Sequence, residues 1–292
     1  MLAGKGYNEI STNSITQSIF EQDENLKSEQ IRLLNSQTAE LDSLRTSLLY
    51  DGLNVIAHNC NRKNNHLQLF EFGNTYHKVG NEFNQKKHLA IYLTGEKQQQ
   101  DWLQPALKTD FFHLKETVMA VFSSKGIHPT AHKISEHAPF SFSLDLYVED
   151  TLIAQIGKVA PAVAKKMDVK QDVFFALINW NLVEGKSTFH QIHFKELNKF
   201  PTVSRDLAIV LDEEKTFSEV ETIVKEEAKK YLKTIALFDV YRGDKIAANQ
   251  KSYAINFVLA DDTKTLSDTE IDKTTQKIIK KLESSLQATL RK

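Results

Sequence analysis

The chain has 292 residues, of which 41% are hydrophobic and 26% charged, values typical of globular proteins. Its formal net charge is −1, which excludes a nucleic-acid binder that depends on overall positive charge. No apolar run approaches the roughly 20 residues needed to span a bilayer, and the single cysteine fits a reducing, cytoplasmic location. The length predicts two domains.

The first two-thirds of the chain is predicted to be a mixed α/β domain. We expect long antiparallel strands with helices packed on one side of the sheet. The segment 184–198 is polar and is expected to cross between the domains. The predicted elements are a helix around 53–58, strands over 67–73 and 89–95, a helix ending at Gly126, a hairpin of 140–148 with 152–159, a short helix opened by Pro161, and a buried strand over 174–180.

This first domain contains few signs of chemistry. Its glycines form no phosphate-binding loop. His190 and His193 are three residues apart, but no carboxylate or thiol at ligand spacing completes a metal site, so no metal ligands are expected. Arg45 and Arg62 are candidates for phosphate contact, with a surface or interface arginine as the favoured alternative for each.

The last third of the chain has the element order of a split βαβ fold: strand, helix, strand, strand, helix and a short closing strand over 288–291. Strands over 205–211 and 251–259 alternate, so that large apolar side chains occupy one face and small or polar ones the other. Capping boxes at Thr216 with Glu219, and at Ser267 with Glu270, predict where the two helices begin.

An open sheet face in such a fold is a common binding site for single-stranded RNA bases. Residues 200–292 contain 16 Lys or Arg and 16 Asp or Glu, so any RNA contact must depend on a local patch. Phe238 is placed on the open face, beside Ala208 and Ala254. For each lysine, the alternative to RNA contact is a solvated surface cation. For Arg205, the alternative is a structural ion pair with Asp206. The candidate RNA-binding residues are Lys199, Arg205, Phe238, Arg242, Lys251 and Lys264.

An ordered set of motifs resembles the C-terminal half of the β subunit in the bacterial phenylalanyl-tRNA synthetase family. The resemblance covers essentially the whole chain, although Ala138-Pro139 and Ala160-Pro161 stand where the family has His-Pro. Because family β subunits are much longer, we expect the chain to be a fragment. The motifs lie at 44–49, 52–53, 59–64, 69–73, 112–115, 156–161, 200–201, 205–206, 237–241 and 251–252.

The resemblance implies an α+β fold class: an inactive class II synthetase-like antiparallel domain over 1–197, then a ferredoxin-like anticodon-binding domain over 198–292. It implies a dimer of α–β pairs that attaches phenylalanine to its tRNA, with ATP and Mg²⁺ used by the full enzyme and no cofactor, metal or catalytic residue in this chain. The expected contacts with the α subunit are Leu44, Arg45, Leu48 and Leu49.

The residues themselves support a non-catalytic role for the first domain. Class II synthetases hold ATP with an Arg-x-Glu strand motif and a second arginine in a glycine-rich motif. None of the three arginines before the last domain, Arg32, Arg45 and Arg62, is followed two residues later by Glu. Two alternatives stay open: the first domain activates an amino acid itself, or the chain is a free-standing RNA-binding or regulatory protein.

Overall fold

The chain divides into two compact units, Met1–Ile192 and His193–Lys292. The computed structural model describes residues 1–21, 24–36, 38, 41–135, 138–187, 194, 196–243 and 246–291. Within these ranges, no helix is both long enough and apolar enough to cross a membrane.

The first unit is built from one large sheet, three small strand pairings and five α-helices within its described residues. The helices are α1 (Glu24–Ser28), α2 (Leu49–Cys60), α3 (Phe111–Ser124), α4 (Pro161–Lys166) and α5 (Trp180–Lys186). The strands are β1 (Asn8–Glu9), β2 (Ile15–Thr16), β3 (Ile31–Arg32), β4 (Ser43–Leu44), β5 (Leu67–Val79), β6 (Glu82–Thr94), β7 (Glu96–Gln98), β8 (Leu107–Lys108), β9 (Ala131–Ser135), β10 (Phe140–Val148), β11 (Thr151–Val159) and β12 (Val173–Asn179).

The large sheet has seven strands in the order β1-β5-β6-β12-β11-β10-β9, and all its pairings are antiparallel except β1 with β5. The prediction that helices pack on one side of this sheet is wrong. On one face, Leu89, Ile91 and Leu93 of β6 pack in a cluster with α3. On the other face, Ala90 and Tyr92 pack in a cluster with α2. The continuous apolar run over 89–93 is therefore covered on both sides.

Most predicted elements of the first unit are confirmed, although several have different bounds. The hairpin of β10 and β11 and the start of α4 at Pro161 lie where they are predicted. The predicted strands 67–73 and 89–95 belong to a longer hairpin. Its strands β5 and β6 pair with each other over 13 residues each. The predicted helix around 53–58 begins at Leu49, and the preceding Leu44 belongs to strand β4.

The second unit has the predicted split βαβ order. Its strands form an antiparallel sheet in the order β14-β15-β13-β16. Its elements are β13 (Val203–Asp212), α6 (Phe217–Ala228), β14 (Leu232–Tyr241), β15 (Gln250–Leu259), α7 (Asp268–Leu286) and β16 (Thr289–Leu290).

One face of this sheet and the two helices form the core of the second unit. Leu207 and Ile209 of β13 and Ile255 and Phe257 of β15 are buried against apolar residues of α6 and α7. Both predicted capping boxes are present, since the Thr216 and Ser267 side chains each accept a hydrogen bond from the backbone of the glutamate three residues later. No helix among the described residues of this unit packs on the opposite face, which we call the open face.

Candidate nucleic-acid interface

The open face is defined by the register of β13 and β15. Asp206 lies opposite Asn256, and Ala208 lies opposite Ala254. The Asn256 amide donates hydrogen bonds to the Asp206 carboxylate and to Ser204 Oγ, both at 2.6 Å. The face therefore combines small side chains with hydrogen-bonding groups, and a planar base has room to approach it.

Phe238 lies at an irregularity in β14. The pairing with β15 skips one residue between Leu237 and Asp239, so Phe238 is the extra residue of a β-bulge. Its neighbour Asp239 lies opposite Ala254, the position at which the sequence analysis expects Phe238. The Phe238 ring is 59% exposed, so the structure leaves an aromatic side chain accessible for stacking.

Tyr241 and Arg291 form a second aromatic feature that sequence reasoning missed. The Arg291 backbone donates to the Ala208 carbonyl at one edge of the sheet. Its guanidinium carbon lies 4.6 Å from the centre of the Tyr241 ring, on the strand at the other edge. The side chain thus extends from one edge of the sheet toward the strand at the other edge. The alternation of side chains along the closing strand was the feature of the sequence that could have indicated this contact.

Two predicted RNA contacts lie on the wrong face. Arg205 pairs with Phe257 of the core face, so the β13 alternation directs it toward the helix-covered side. Asp206 points the opposite way, and it does not form the alternative ion pair with Arg205. Lys251 is only 6% exposed and donates a 2.6 Å hydrogen bond to the Glu213 carbonyl. Arg205 and Lys251 therefore do not face an RNA that binds to the open face.

The other three predicted cations are engaged in ion pairs. Arg242 forms a two-pronged pair with Glu213, with Nε–Oε1 and Nη2–Oε1 distances of 3.0 and 2.8 Å. Lys264 pairs with the capping residue Glu270, and this contact with Lys264 lowers the pKa of Glu270 to about 2. Lys199 lies 3.6 Å from Glu196 and is highly exposed. These three stay candidates, because exposed ion pairs are weak and exchange readily with phosphate.

The predicted subunit-interface segment lies largely inside the first unit. Leu48 and Leu49 have no exposed surface and pack in the cluster that contains α2. Arg45 is 3% exposed, whereas Leu44 is half-buried. Burial of Arg45, Leu48 and Leu49 argues against direct contact with another subunit, because their side chains are occupied within the domain. Their apolar character reflects core packing at the start of α2.

Arg45 is the centre of a buried ionic network. Its Nη1 lies 3.1 Å from Glu71 Oε1 and 2.6 Å from Thr12 Oγ1, and its Nε donates to the Asn74 carbonyl at 2.9 Å. Glu71 is 2% exposed and also accepts from the Thr12 backbone at 3.1 Å. Buried charges are tolerated when they are paired and hydrogen-bonded, as these are. The favoured reading of Arg45 as a surface or interface arginine is wrong.

Asp51 lies beside this network, with Oδ2 3.8 Å from Arg45 Nη1 and Oδ1 accepting from Thr16 Oγ1 at 2.9 Å. Burial raises the pKa of Asp51 to about 6. Since the folded state holds the proton more tightly than the unfolded state, this carboxyl lowers the free energy of unfolding as pH rises from about 4 to about 6. Burial also lowers the pKa of His88 to about 4, which acts in the opposite direction over that range.

We therefore expect Asp51→Asn to gain stability relative to the wild type as pH rises from about 4 to about 7. The gain is roughly 3 kcal/mol at most, because one pKa unit corresponds to about 1.4 kcal/mol. Urea unfolding of both proteins across this range measures it. Asp172→Asn, which removes an exposed carboxylate paired with Lys158, serves as the control for the loss of a surface charge. A difference for Asp51→Asn that changes with pH no more than that of the control would contradict the assignment.

The remaining sequence candidates do not assemble into a catalytic or metal centre. His190 and His193 lie outside the described residues. Arg62 follows α2 and donates to the His58 carbonyl at 3.0 Å, as an exposed side chain. Within the described ranges, no three His, Cys, Asp or Glu side chains are grouped so that they could hold a metal ion.

Comparisons with known proteins match both units. The family model described as the phenylalanyl tRNA synthetase beta chain CLM domain matches residues 1–180. The model described as the ferredoxin-fold anticodon binding domain matches residues 198–291. The mixed α+β class and the ferredoxin-like second unit predicted from the sequence are therefore confirmed.

Curated relatives align along nearly the whole chain. The phenylalanine–tRNA ligase beta subunit of Bacteroides thetaiotaomicron is 37% identical over 99% of this chain, and that of Porphyromonas gingivalis is 33% identical over 99%. The chain spans 37% of the length of each relative. A solved structure, pyrrolysyl-tRNA synthetase from Desulfitobacterium hafniense, matches with a TM-score of 0.48 and 16% identity, covering 63% of this chain and 65% of that chain.

The family assignment follows from the extent of these matches. One family model accounts for most of the first unit and a second for nearly all of the other, in the order that the sequence motifs predict. The chain belongs to the phenylalanyl-tRNA synthetase beta chain family.

Proposed function

We propose that the chain works in the cytoplasm as part of the β subunit of phenylalanine–tRNA ligase. Residues 1–197 support the catalytic α subunit, and residues 198–292 bind the anticodon region of phenylalanine tRNA. The full α–β enzyme, a dimer of such pairs, uses ATP and Mg²⁺ to attach phenylalanine. The observation that carries the proposal is the match of residues 198–291 to an anticodon-binding domain whose sheet has one open face here.

A non-catalytic role for the first unit is supported by the positions of its arginines. Arg45 is committed to the buried pair with Glu71, and Arg62 caps the carboxyl end of α2. Neither is placed to stabilise the charge that develops on a phosphate during adenylation. The alternative of a free-standing regulatory protein is less favoured, because the curated relatives align with both units in one ligase subunit.

Recognition on the open face is proposed to depend on bases more than on phosphates. Asp206 and Asp239 belong to this face, and Arg291 lies over Tyr241. Carboxylates repel phosphate but accept hydrogen bonds from base amino groups. The exposed Phe238 ring then supplies a stacking surface, and the exposed cations at the rim supply weaker phosphate contacts.

We expect Phe238→Ala to weaken binding of the phenylalanine-tRNA anticodon stem-loop about 5- to 150-fold, because base stacking contributes about 1–3 kcal/mol. A fluorescently labelled stem-loop is titrated with the chain at about 50 and about 200 mM salt. The loss is expected at both concentrations, since stacking does not release counterions. Phe83→Ala is the matched control, an exposed phenylalanine (68%) in the first unit.

Two results would count against this proposal. Equal affinity of the wild type and Phe238→Ala for the stem-loop would show that the ring does not contact the RNA. Equal affinity of the wild-type chain for the stem-loop and for the same stem with a scrambled loop would show that the chain does not read the anticodon.

The scaffold role predicts affinity for the α subunit. Co-expression of the chain with the α subunit of the same organism is expected to give a complex that elutes together in size-exclusion chromatography. The chain alone is expected to show no phenylalanine-dependent exchange of pyrophosphate into ATP. Exchange by the purified chain at an enzyme-like rate would favour the alternative in which the first unit activates an amino acid.

A further inference from the structure

The solvent-facing side of α7 carries a row of lysines. The buried residues of this helix, among them Ile271, Ile278 and Leu282, pack against the sheet of the second unit. At 3.6 residues per turn, four exposed lysines fall within an arc of about 100° on the side of α7 that faces away from this core. We call them the α7 lysine row: Lys273, Lys277, Lys280 and Lys281.

The carboxylates of α7 do not neutralise this row. Glu270 belongs to the same arc, but it is held by Lys264 and by the Ser267 backbone. Glu283, three residues after Lys280, lies on the flank of the row and forms no ion pair with it. Within the described part of the second unit, the ion pairs involve other cations: Lys199, Lys215, Lys225, Lys233, Arg242 and Lys264.

The row is unfavourable for the helix itself. Lys277 is four residues from both Lys273 and Lys281, and it is three residues from Lys280. Side chains at these spacings are neighbours on a helix surface, and like charges there destabilise the helix. A negatively charged partner that lies along the row would offset this repulsion.

An RNA backbone is the polyanion that fits the row best. The helix rises about 12 Å between Lys273 and Lys281, and a duplex has one phosphate per about 3.4 Å on each strand. The row therefore spans three or four phosphates. The apolar residues of α7 are buried in the core, so the helix has no apolar face with which to enter a membrane surface. The choice of RNA over an acidic protein rests on the proposed function, in which this unit binds tRNA.

We propose that the α7 lysine row binds the phosphate backbone of an RNA duplex without reading its sequence. This contact lies on the opposite side of the second unit from the open face, because α7 covers the other face of the sheet. It is a second RNA contact, separate from the reading of anticodon bases.

The test uses the complete chain and a fluorescently labelled, blunt-ended RNA duplex of about 16 base pairs. The duplex has no unpaired bases, so the proposed anticodon contact does not bind it. We expect a dissociation constant of about 1–100 μM at about 50 mM salt. Raising the salt to about 200 mM is expected to weaken binding about 12- to 150-fold, because two to four phosphates release their counterions on binding.

Glutamine variants of the row test which side chains are responsible. Replacing all four lysines is expected to weaken duplex binding at least about tenfold at about 50 mM salt. Lysine and glutamine have similar helix propensities, so the variant keeps α7. Lys277→Gln alone is expected to reduce the slope of log affinity against log salt by about one. The matched control replaces four exposed lysines of the first unit by glutamine: Lys108, Lys133, Lys165 and Lys166.

Three results would overturn the proposal. They are a dissociation constant above about 1 mM at about 50 mM salt, equal losses for the row variant and the control variant, and equal affinity for poly-glutamate, which would indicate an acidic protein partner.

The anticodon stem-loop separates this proposal from the proposed function. At about 200 mM salt, the row variant is expected to bind the stem-loop like the wild type, and Phe238→Ala is expected to bind the duplex like the wild type. Binding of the stem-loop without binding of the duplex would contradict the α7 contact alone. Binding of the duplex without binding of the stem-loop would contradict the proposed anticodon contact alone.

Discussion

Glu71→Ala is expected to lower the free energy of unfolding of the first unit by about 3–5 kcal/mol. The change leaves the Arg45 guanidinium, which is 3% exposed, without its closest carboxylate, and an uncompensated buried charge is costly. Urea unfolding followed by tryptophan fluorescence measures the effect. Both tryptophans, Trp102 and Trp180, belong to the first unit, so the signal reports on this unit.

The matched control is Glu116→Ala, which removes a carboxylate whose pair with Lys97 is exposed on both sides. Its expected cost is at most about 1 kcal/mol. The double variant Arg45→Met with Glu71→Ala is expected to cost less than the sum of the single changes, since the two residues interact directly. Additive costs, or a cost for Glu71→Ala as small as that of the control, would show that the pair does not stabilise this unit.

Gly52→Ala is expected to destabilise the first unit by at least about 3 kcal/mol, because the added methyl group has no space. A Cβ atom at this position of α2 would overlap the ring of Tyr92. That ring is fully buried, packs 5.1 Å from the Phe175 ring centre and donates a 2.7 Å hydrogen bond to the Leu48 carbonyl. Either the helix or the ring must move, and both are held by the same core.

Gly185→Ala provides the control within the same unit. A Cβ atom at this helical position has nothing within 4 Å. Alanine is favoured over glycine in a helix by up to about 1 kcal/mol, so stability is expected to be unchanged or slightly higher. Urea unfolding of the two variants compares them directly. A loss for Gly52→Ala no larger than the change for Gly185→Ala would contradict the close packing of α2 on the sheet.

Local patterns were sufficient to predict most of the second unit. The capping boxes at Thr216 and Ser267 depend only on residues three positions apart, and both form. The alternation in β13 and β15 assigns Leu207 and Ile255 to the core face correctly. The same rule, if applied, would have placed Lys251 on the core face, because it has the parity of Tyr253 and Ile255 in the strand, but the residue was chosen as an RNA contact instead.

The features that were missed depend on contacts between distant parts of the chain. Arg45 contacts Glu71 because the fold brings β4, β5 and the start of α2 together. No local sequence motif encodes that arrangement. The bulge at Phe238 arises from a register shift against β15. The coverage of β6 on both faces did have a local signal, namely the unbroken apolar run over 89–93. A strand with one solvated face alternates apolar and polar residues instead.

The candidate RNA-binding site was predicted only in part. Phe238 was chosen as an aromatic residue to place on the open face beside the small side chains of Ala208 and Ala254, and the structure leaves its ring accessible. The cations were chosen by their position at strand ends, without regard to the acidic partners that Arg242 and Lys264 have in the fold. Arg242 and Glu213 are 29 residues apart and meet only in the fold, whereas Lys264 and Glu270 are six residues apart.

Photocrosslinking tests the central proposal most directly, namely that the open face of the second unit meets the anticodon. A phenylalanine-tRNA stem-loop with a photoreactive base in its anticodon is bound to the chain and irradiated, and crosslinked peptides are identified by mass spectrometry. The account predicts crosslinks in β14 and β15, centred on 238–241 and 252–256, with Phe238→Ala reducing them. Crosslinks confined to α6 and α7, which cover the other face of the sheet, would contradict it.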